Sequence, residues 1–520
     1  MTRAAATPCL LWTIPNGSSA GNVLRSGVLA RVLDHVRDLR VVLVSPLVAD
    51  PAFTSEFAHP RVAFERLRAH VPSGLEGRLL SLVQARYLEA RTTETIRIKL
   101  AAGHAGTGLR YRRVKALVGR ALSPRPDSGR WYDVSDRLVG DPDAERLFVR
   151  HAPALVAVST PGLIFAEIPI LRTARRRGVR AMAVDLSWDN LTNKLFPIRR
   201  VDRLAVWNGT MKREAEDLHG YDADEIDVVG PPQFDRYFNG EPRSSRVEFC
   251  RRAGLDPARR IQTLTTIPAE AYPRHDVVID RLVDAIGSGA IAAPCDLLVR
   301  LHPRDDLRIY DRYGGTPHVV VEKPFRESAR AGDGHSVDVT AENTRHLADT
   351  LYHSDVVLNV ASTIAIEASI FDTPVVNIAF DQDAAEARPF LTSPLRYYSY
   401  THYQQIVRAG AVRIAKSAGE MIDLVNGYLA DPSMDAAGRR RVVVEQCEFT
   451  DGRSAERLAL AIAAELTGRR VAAAPGAVAA RDAAAAIKSE EFGSWNASSR
   501  CDAAQRDGVT TNSKFVIPNS

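Results

Sequence analysis

Residues 354–380 read SDVVLNVASTIAIEASIFDTPVVNIAF, and this stretch decides the fold. An apolar run from Val356 to Val360 is followed by a short polar turn, an apolar helical segment, a Thr-Pro turn and a second apolar run from Val375 to Phe380. Short apolar strands that alternate with helices are the pattern of a parallel α/β sheet. The stretch therefore predicts a strand–helix–strand unit.

The same alternation of apolar runs and helical segments occurs twice along the chain. The predicted strands lie at 10–14, 41–45, 155–159, 181–186 and 204–207, and then at 262–267, 297–302, 319–322, 356–360 and 375–380. A chain of 520 residues is too long for one hydrophobic core, since single cores stop growing at about 250–300 residues. We therefore expect two Rossmann-like α/β domains, residues 1–240 and 241–468, joined near 235–245.

Two regions do not follow this alternation. Residues 75–145 are largely helical and basic in pattern, and we expect them to be inserted between strands of the first sheet. Residues 469–520 are dominated by Ala, Gly, Ser and Asn without periodicity, which predicts a disordered tail.

Charge and composition limit the classes of function. The net charge of +5 is small, but arginines cluster at 110–115, 175–177 and 439–441. Such runs are usually solvated helix faces, and contact with acidic lipid headgroups is the functional alternative. There is no nucleic-acid-binding motif and no apolar run of about 18 residues. The five cysteines are scattered, as in proteins of a reducing compartment, so we expect a cytoplasmic protein with or without peripheral membrane contact.

Ser362 and Thr363 occupy the turn where the helix of the quoted stretch should begin. Either hydroxyl can cap that helix while the free backbone N–H groups point outward, and such a helix end favours anions. The two residues therefore predict a binding site for a diphosphate.

Glu367 is the charged residue of a helix that is otherwise apolar nearly all round. A helix of that kind is normally buried, and a buried carboxylate needs hydrogen-bond partners. The two hydroxyls of a ribose are suitable donors, so we predict that Glu367 binds the ribose of a nucleotide. The structural alternative is a partly exposed Glu367 or one paired with an internal arginine.

Arg300 and His302 lie at the end of the predicted strand 297–302. Their spacing of two places both on one face of the strand, at the carboxyl end where α/β proteins bind ligands. They are candidates for ligand contacts, although a lone histidine at a strand end is more often structural than catalytic.

Two segments of the first half carry further candidates. A polar loop with Asn16 and Gly17 follows the first strand, and its glycines do not form the Gly-x-Gly-x-x-Gly fingerprint of a bound dinucleotide, so no cofactor is predicted. In the segment after the strand 181–186, Asp185, Ser187 and Asp189 share a face by strand alternation, which makes Asp189 a candidate general base. The alternative is an Asx turn in which Asp189 caps the next helix.

These segments resemble the GT-B glycosyltransferases and their relatives, the CDP-glycerol glycerophosphotransferases and the non-hydrolysing UDP-N-acetylglucosamine 2-epimerases. In that superfamily a strand, a Ser- or Gly-containing turn, a helix carrying Glu and a Pro-Val-Val strand form the nucleotide pocket. The resemblance implies a GT-B architecture, with Ser362 and Thr363 on the diphosphate and Glu367 on the ribose. It covers about 262–468 well and the first half in outline.

The resemblance also bears on four other residues. It implies a phosphate or leaving-group role for His302, and it implies that the loop with Asn16 and Gly17 closes over the cleft between donor and acceptor. The sequence departs from the superfamily at Ala361, where the relatives carry a second Ser or Gly.

The expected function is transfer of a sugar from a nucleotide-activated donor to a glycan or lipid-linked acceptor in surface polysaccharide biosynthesis. The sequence has no strand-flanked Asp-x-Asp motif and no metal-ligand spacing, so we expect a metal-independent enzyme. The alternatives are a polyol-phosphate transferase of the CDP-glycerol type and a catalytically silent GT-B-like scaffold; a 2-epimerase is less favoured because the chain is longer than that reaction needs. We expect no binding of nucleic acid.

Overall fold

The structure is a computed structural model that describes residues 7–90, 93–103, 114–115, 117–118, 132, 136–240, 243–323, 326–327, 337–338, 340–381 and 389–468. These residues belong to one compact unit, Met1–Arg470. The predicted tail, residues 469–520, lies outside the described residues. So do most of the residues between 104 and 135, which are the middle part of the predicted insert 75–145.

The first sheet has seven parallel strands in the order β3-β2-β1-β4-β5-β6-β7. The strands are β1 (Cys9–Thr13), β2 (Arg40–Ser45), β3 (Val62–Arg66), β4 (Leu155–Val158), β5 (Arg180–Val184), β6 (Arg203–Val206) and β7 (Ile226–Val228). Five of them were predicted to within two residues. The two strands that the sequence did not reveal, β3 and β7, lie at the edges, where one neighbour is missing and the apolar signal is weaker.

The second sheet has six parallel strands in the order β10-β9-β8-β13-β14-β15. They are β8 (Arg260–Thr265), β9 (Cys295–Arg300), β10 (Val319–Glu322), β13 (Val356–Asn359), β14 (Val375–Ile378) and β15 (Arg413–Ala415), and a separate antiparallel pair is formed by β11 (Arg326–Glu327) and β12 (Val337–Asp338). All residues of β9, β13 and β14 are buried, as expected of parallel strands covered on both faces.

Helices cover the faces of both sheets. They are α1 (Gly17–Ser19), α2 (Val28–His35), α3 (Pro51–Glu56), α4 (Gly74–Ala90), α5 (Glu94–Ala101), α6 (Pro142–His151), α7 (Ile168–Arg176), α8 (Asn190–Asn193), α9 (Gly209–His219), α10 (Asp235–Phe238), α11 (Arg246–Ala253), α12 (His275–Ser288), α13 (Ala341–His353), α14 (Ile364–Ile370), α15 (Tyr403–Arg408), α16 (Ala418–Ala430), α17 (Ala436–Cys447) and α18 (Ser454–Thr467). None of the helices searched within the described residues has both the length and the apolar character needed to cross a membrane.

The last helix, α18, returns to the first sheet. Its residues Leu458 and Ile462 are fully buried in the same core as Trp12 of β1 and Val32 of α2. The carboxylate of Asp235 in the connector accepts hydrogen bonds from the first two backbone N–H groups of α18, at 2.8 and 2.7 Å. Residues 454–467, which the sequence assigned with the second domain, therefore stabilise the first sheet.

A buried ionic cluster attaches the helical insert to the first sheet. Arg172 of α7 is fully buried and pairs with Glu76 of α4 and with Asp136. Asp136 also accepts a hydrogen bond from Arg199 at 2.6 Å. Because buried charges are tolerated only when paired, this cluster ties Glu76 and Asp136, near the two ends of the predicted insert, to α7.

Candidate functional site

Two adjoining cavities open at the carboxyl ends of the two sheets. Cavity A, of about 610 Å³, is lined by some of the residues in the segments 16–26, 160–165, 186–196 and 233–237. Cavity B, of about 580 Å³, is bounded by residues 265–268, 300–303, 360–364 and 397–402. The cavities share Ser18, Arg300, Leu347, Thr363 and Glu367. They therefore form one continuous cleft between the two halves of the chain.

The structure brings nearly all of the predicted site residues to this cleft. Cavity B is lined by Asp189, Arg300, His302, Ser362, Thr363 and Glu367. Asn16 lines cavity A, together with the shared residues. Gly17 is the exception, because it lines neither cavity.

Glu367 lies between the two cavities, on α14. The hydroxyl of Tyr237 in α10 donates a hydrogen bond to Glu367 Oε2 at 2.5 Å. Burial raises the pKa of Glu367 to about 7, and the Tyr237 hydrogen bond and the charge of Arg300 offset part of that effect. Tyr237 belongs to the connector near 235–245. Its hydroxyl thus already occupies one of the two carboxylate oxygens with which Glu367 is predicted to bind ribose.

Arg300 is the last residue of β9, so strand alternation does not extend to His302 as predicted. Both side chains nevertheless line cavity B. Arg300 Nη1 donates to Glu322 Oε1 at 2.8 Å, and Glu322 also contacts His346 Nε2 at 2.8 Å. This network holds a buried guanidinium at the wall of the cavity.

His302 is held in one tautomer by the turn that follows β9. Its Nδ1 accepts the backbone N–H of Arg304 at 3.1 Å, which leaves the ring proton on Nε2. Burial, reinforced by the nearby charge of Arg304, lowers the pKa of His302 to about 4. At neutral pH the imidazole is therefore uncharged and offers Nε2–H as a hydrogen-bond donor.

In the turn before α14, one of the two hydroxyls that were predicted to cap the helix does so. Ser362 Oγ accepts the backbone N–H of Ile364 at 3.3 Å, whereas Thr363 does not cap with its hydroxyl. Thr363 Oγ1 accepts a hydrogen bond from Trp188 Nε1 of the first half at 3.2 Å instead. Ala361 adopts a positive φ of 39°, a conformation that favours glycine.

Asp189 lies off the strand face from which the sequence predicted a general base. Strand β5 ends at Val184, so the shared strand face does not extend to Asp189. The carboxylate accepts hydrogen bonds from Ser187 Oγ, from Asn193 Nδ2 at 2.6 Å and from Lys194 Nζ at 3.3 Å. Burial alone would raise its pKa, but Lys194, His402 and the hydrogen bonds bring it well below its ordinary value.

The Asp189 carboxyl group is therefore ionised at neutral pH, which is the form that a general base requires, and its role as the base stays a prediction. The alternative prediction, a helix cap, also differs from the structure, because Asp189 stands at the N-terminus of α8 without a side-chain capping hydrogen bond. Its contacts indicate that Asp189 positions Asn193 and Lys194.

The predicted loop with Asn16 and Gly17 is helical. Asn16 Oδ1 accepts the backbone N–H of Ser19 at 2.8 Å and so caps α1, which continues into a π-helical turn, Ala20–Leu24. This places Ser18 at the wall of both cavities. An Asn followed by Ser residues is a signal for a helix N-terminus that the sequence already contained.

Sequence reasoning missed three cleft residues whose neighbours are distant in sequence. Trp188 packs edge-on against His402, with ring centroids 4.9 Å apart, and both line cavity B. Burial lowers the pKa of His402 to about 4. Nothing in the sequence around Tyr237 indicated that it would contact Glu367, because this contact depends on α14 lying beside the connector.

The arginine clusters are largely engaged within the fold. Arg439 is fully buried and contacts Asp372 at 2.7 Å. Arg177 pairs with Glu145 at 2.7 Å. Residues 110–113 of the first cluster lie outside the described residues. Membrane contact through the clusters therefore stays a prediction.

Solved structures share this fold at low sequence identity. A Listeria monocytogenes protein provisionally named a UDP-N-acetylglucosamine 2-epimerase matches with a TM-score of 0.52 and 11% identity, covering 89% of this chain and 98% of its own. The S. aureus protein MnaA, solved with UDP, matches with a TM-score of 0.51 and 12% identity, covering 88% and 97%.

A further match is CalG4, the calicheamicin glycosyltransferase, at a TM-score of 0.46 and 13% identity, covering 90% and 100%. No protein-family model matches the chain. No curated protein is similar to it in sequence. The two parallel α/β sheets around a central cleft, matched over nearly the whole length of the Listeria protein and of MnaA, show that the chain has the two-domain GT-B fold.

Proposed function

We propose that the protein is a metal-independent glycosyltransferase that moves a sugar from a nucleotide-sugar donor to a hydroxyl of a glycan or lipid-linked acceptor in surface polysaccharide biosynthesis. The observation that carries the proposal is the convergence of Arg300, His302, Ser362, Thr363 and Glu367 on cavity B. Ligands of α/β proteins bind at this end of the sheet.

The nucleotide would occupy cavity B. Glu367 would bind the ribose after exchanging its contact with Tyr237, since a ribose hydroxyl can replace the phenolic donor. Ser362 and Thr363 would contact the diphosphate. The volume of cavity B, about 580 Å³, lies in the ordinary range for small-molecule sites.

In the transfer step, the acceptor oxygen forms a bond to the anomeric carbon and the bond from that carbon to the diphosphate oxygen breaks. The electron pair and the negative charge pass to the leaving diphosphate. His302 Nε2–H and the Arg300 guanidinium are the donors that would stabilise this charge. The proton of the acceptor hydroxyl would pass to Asp189, the predicted base at the wall of cavity B, or to solvent.

The first test is nucleotide binding by the purified protein. We expect one of UDP, GDP, CDP, ADP or dTDP to raise the melting temperature, and we expect Glu367→Ala to abolish that increase because the ribose loses its carboxylate partner. Glu342→Ala, which removes an exposed glutamate from α13, is the matched control and should keep the full increase.

Unchanged stabilisation of Glu367→Ala by the nucleotide would disprove the ribose contact. The base that binds separates the rivals, since CDP alone would favour polyol-phosphate transfer and no binding at all would favour a silent scaffold. If UDP binds, incubation with UDP-sugars alone tests epimerisation. Conversion of the donor without any acceptor would favour an epimerase over a transferase.

A further inference from the structure

The two carboxylate oxygens of Glu367 are not equally open to a ligand. Oε2 accepts the hydroxyl of Tyr237 at 2.5 Å. Oε1 accepts no hydrogen bond from a described residue, and it keeps accessible surface in the cleft. The side chain as a whole is 8% exposed and lines both cavities. A ligand in the cleft can therefore reach Oε1 directly, whereas it meets the tyrosine at Oε2.

The connector holds the Tyr237 hydroxyl in this position. Its ring stacks on Phe234, with centroids 5.6 Å apart, and packs edge to face against Phe371 at 5.1 Å. Arg243 Nη2 donates a hydrogen bond to the backbone carbonyl of Tyr237 at 3.2 Å, and its guanidinium lies 4.8 Å from the centroid of the Phe371 ring. Displacing the hydroxyl therefore costs its hydrogen bond to Glu367 and disturbs the packing around the ring.

The pentose of a nucleotide presents either one or two hydroxyl groups to such a carboxylate. Ribose has a 2′- and a 3′-hydroxyl, and each can donate to one carboxylate oxygen. A 2′-deoxyribose has the 3′-hydroxyl alone, for which Glu367 Oε1 is sufficient. The second hydroxyl of ribose gains its bond to Oε2 only by replacing the phenolic donor of Tyr237. Because one hydrogen bond is exchanged for another of the same kind, the 2′-hydroxyl adds little net affinity.

We propose that Tyr237 is a specificity-determining residue, which weakens the preference of the nucleotide site for ribose over 2′-deoxyribose. Its hydroxyl competes with the 2′-hydroxyl for Glu367 Oε2, so the site binds ribonucleoside and deoxyribonucleoside diphosphates with similar affinity. This inference rests on the proposed function, and it adds the class of donor that the site accepts. Without the phenolic hydroxyl, the site would bind ribose through both oxygens and discriminate against deoxyribose.

The test compares ligands that differ only in the 2′-hydroxyl. The probes are UDP and dUDP, CDP and dCDP, GDP and dGDP, ADP and dADP, and ribothymidine diphosphate and dTDP. Isothermal titration calorimetry on the full-length protein at pH 8, above the pKa of about 7 of Glu367, gives the ratio of the deoxyribose Kd to the ribose Kd. For the pair that binds, we expect a wild-type ratio within about threefold of unity.

Tyr237→Phe keeps the ring and removes the competing hydroxyl. It should raise the ratio about tenfold, because the ribose form binds more tightly while the deoxyribose form is unaffected. A residue that only supported the fold would change the affinity for both members of a pair and leave their ratio unchanged.

Tyr221→Phe is the matched control. Tyr221 is also buried, and its hydroxyl donates to the backbone carbonyl of Arg199 at 3.3 Å, but it lines neither cavity. Its ratio should equal that of the wild type. Arg243→Met is a second variant, which loosens the backbone of Tyr237 and keeps the hydroxyl. If Tyr237→Phe does not fold, this variant tests the same competition, and its ratio should rise about threefold.

Equal ratios for Tyr237→Phe and Tyr221→Phe would overturn the proposal. A lower ratio for Tyr237→Phe would also overturn it, since the phenol would then assist the binding of ribose. If Arg243→Met replaces Tyr237→Phe, an unchanged or lower ratio has the same meaning.

Failure of the proposed function gives different results. A ratio that rises as expected, without transfer of a sugar from any nucleotide sugar, would leave this proposal standing and refute the transferase. Nucleotide binding that Glu367→Ala abolishes, with a ratio that Tyr237→Phe leaves unchanged, would refute this proposal alone. Binding of no nucleoside diphosphate to the wild type or to Tyr237→Phe would refute both.

Discussion

The two halves of the chain each place a buried glutamate beside the carboxyl end of a sheet, Glu167 in the first half and Glu367 in the second. Burial raises the pKa of both carboxyl groups to about 7. Only Glu367 lines the cavities. Burial therefore raises the pKa of Glu167, which lies inside the first half, and of Glu367, which lies in the cleft, to a similar value.

Their partners differ accordingly. Glu167 accepts hydrogen bonds from Thr13 Oγ1 at 2.6 Å, from the backbone N–H groups of Ser159 and Thr160 at 3.0 and 3.2 Å, and from the Thr160 hydroxyl. Glu367 accepts a hydrogen bond from Tyr237 of the connector. The comparison teaches that a perturbed pKa alone does not identify a functional acid. What separates the two residues is where their hydrogen-bond donors come from. Glu167 is held by donors of the first half, as a structural residue is, whereas Glu367 is held by a donor of the connector and lies in the cleft, as a ligand-binding residue would.

The largest expected effect is the difference in stability between the two alanine variants. Glu167→Ala should lower the free energy of unfolding by about 4 kcal/mol, because several buried donors lose their acceptor at about 1–3 kcal/mol each. Glu367→Ala should cost about 1 kcal/mol, since it releases one tyrosine hydroxyl. Urea unfolding measures the free energy of unfolding of both variants. Equal losses of stability would contradict the distinction between a structural Glu167 and a ligand-binding Glu367.

The pH dependence of stability should follow from the raised pKa values. A carboxyl group whose pKa rises from 4.5 to about 7 on folding holds its proton longer in the folded state. Its contribution is fully present below pH 4.5 and is lost as the pH rises through about 7. Urea unfolding at pH 5 and pH 8 should show this loss for the wild type.

Glu167→Gln and Glu367→Gln have no titrating group at these positions, so each should lose less stability than the wild type between the two pH values. If both variants lose as much stability between pH 5 and pH 8 as the wild type does, other titrating groups cause the pH dependence.

The smallest expected effect concerns the turns that precede these glutamates. The first half uses Gly162, with a φ of 73°, and the second half uses Ala361, with a φ of 39°. Ala361→Gly should stabilise the protein by up to about 1 kcal/mol, because the strain of a left-handed alanine exceeds the entropy cost of glycine. The melting temperature should rise slightly.

Gly162→Ala is the opposite control. A Cβ at this position would lie 2.6 Å from Arg199 Cγ, so the variant should be destabilised. A lower melting temperature for Ala361→Gly would mean that the alanine turn is not strained.

The sequence by itself determined the repeated α/β pattern, because short apolar strands carry their signal in consecutive residues. Most of the site residues that it predicted do line the cleft, since the carboxyl ends of parallel strands meet at one edge. The sequence did not reveal the edge strands β3 and β7, because partial burial weakens their apolar pattern. It also did not reveal that α18 returns to the first sheet, because the packing of a helix depends on surfaces that are distant in sequence.

Only the tertiary structure decided what the polar side chains contact. Glu367 meets Tyr237, 130 residues away, and Thr363 meets Trp188, 175 residues away. Strand alternation made Asp189 a candidate base, but β5 ends at Val184, and the fold brings Asn193 and Lys194 into contact with its carboxylate. Periodicity can place a residue on a face, but hydrogen bonds and desolvation, which set the chemistry of a carboxylate, depend on neighbours that only the fold supplies.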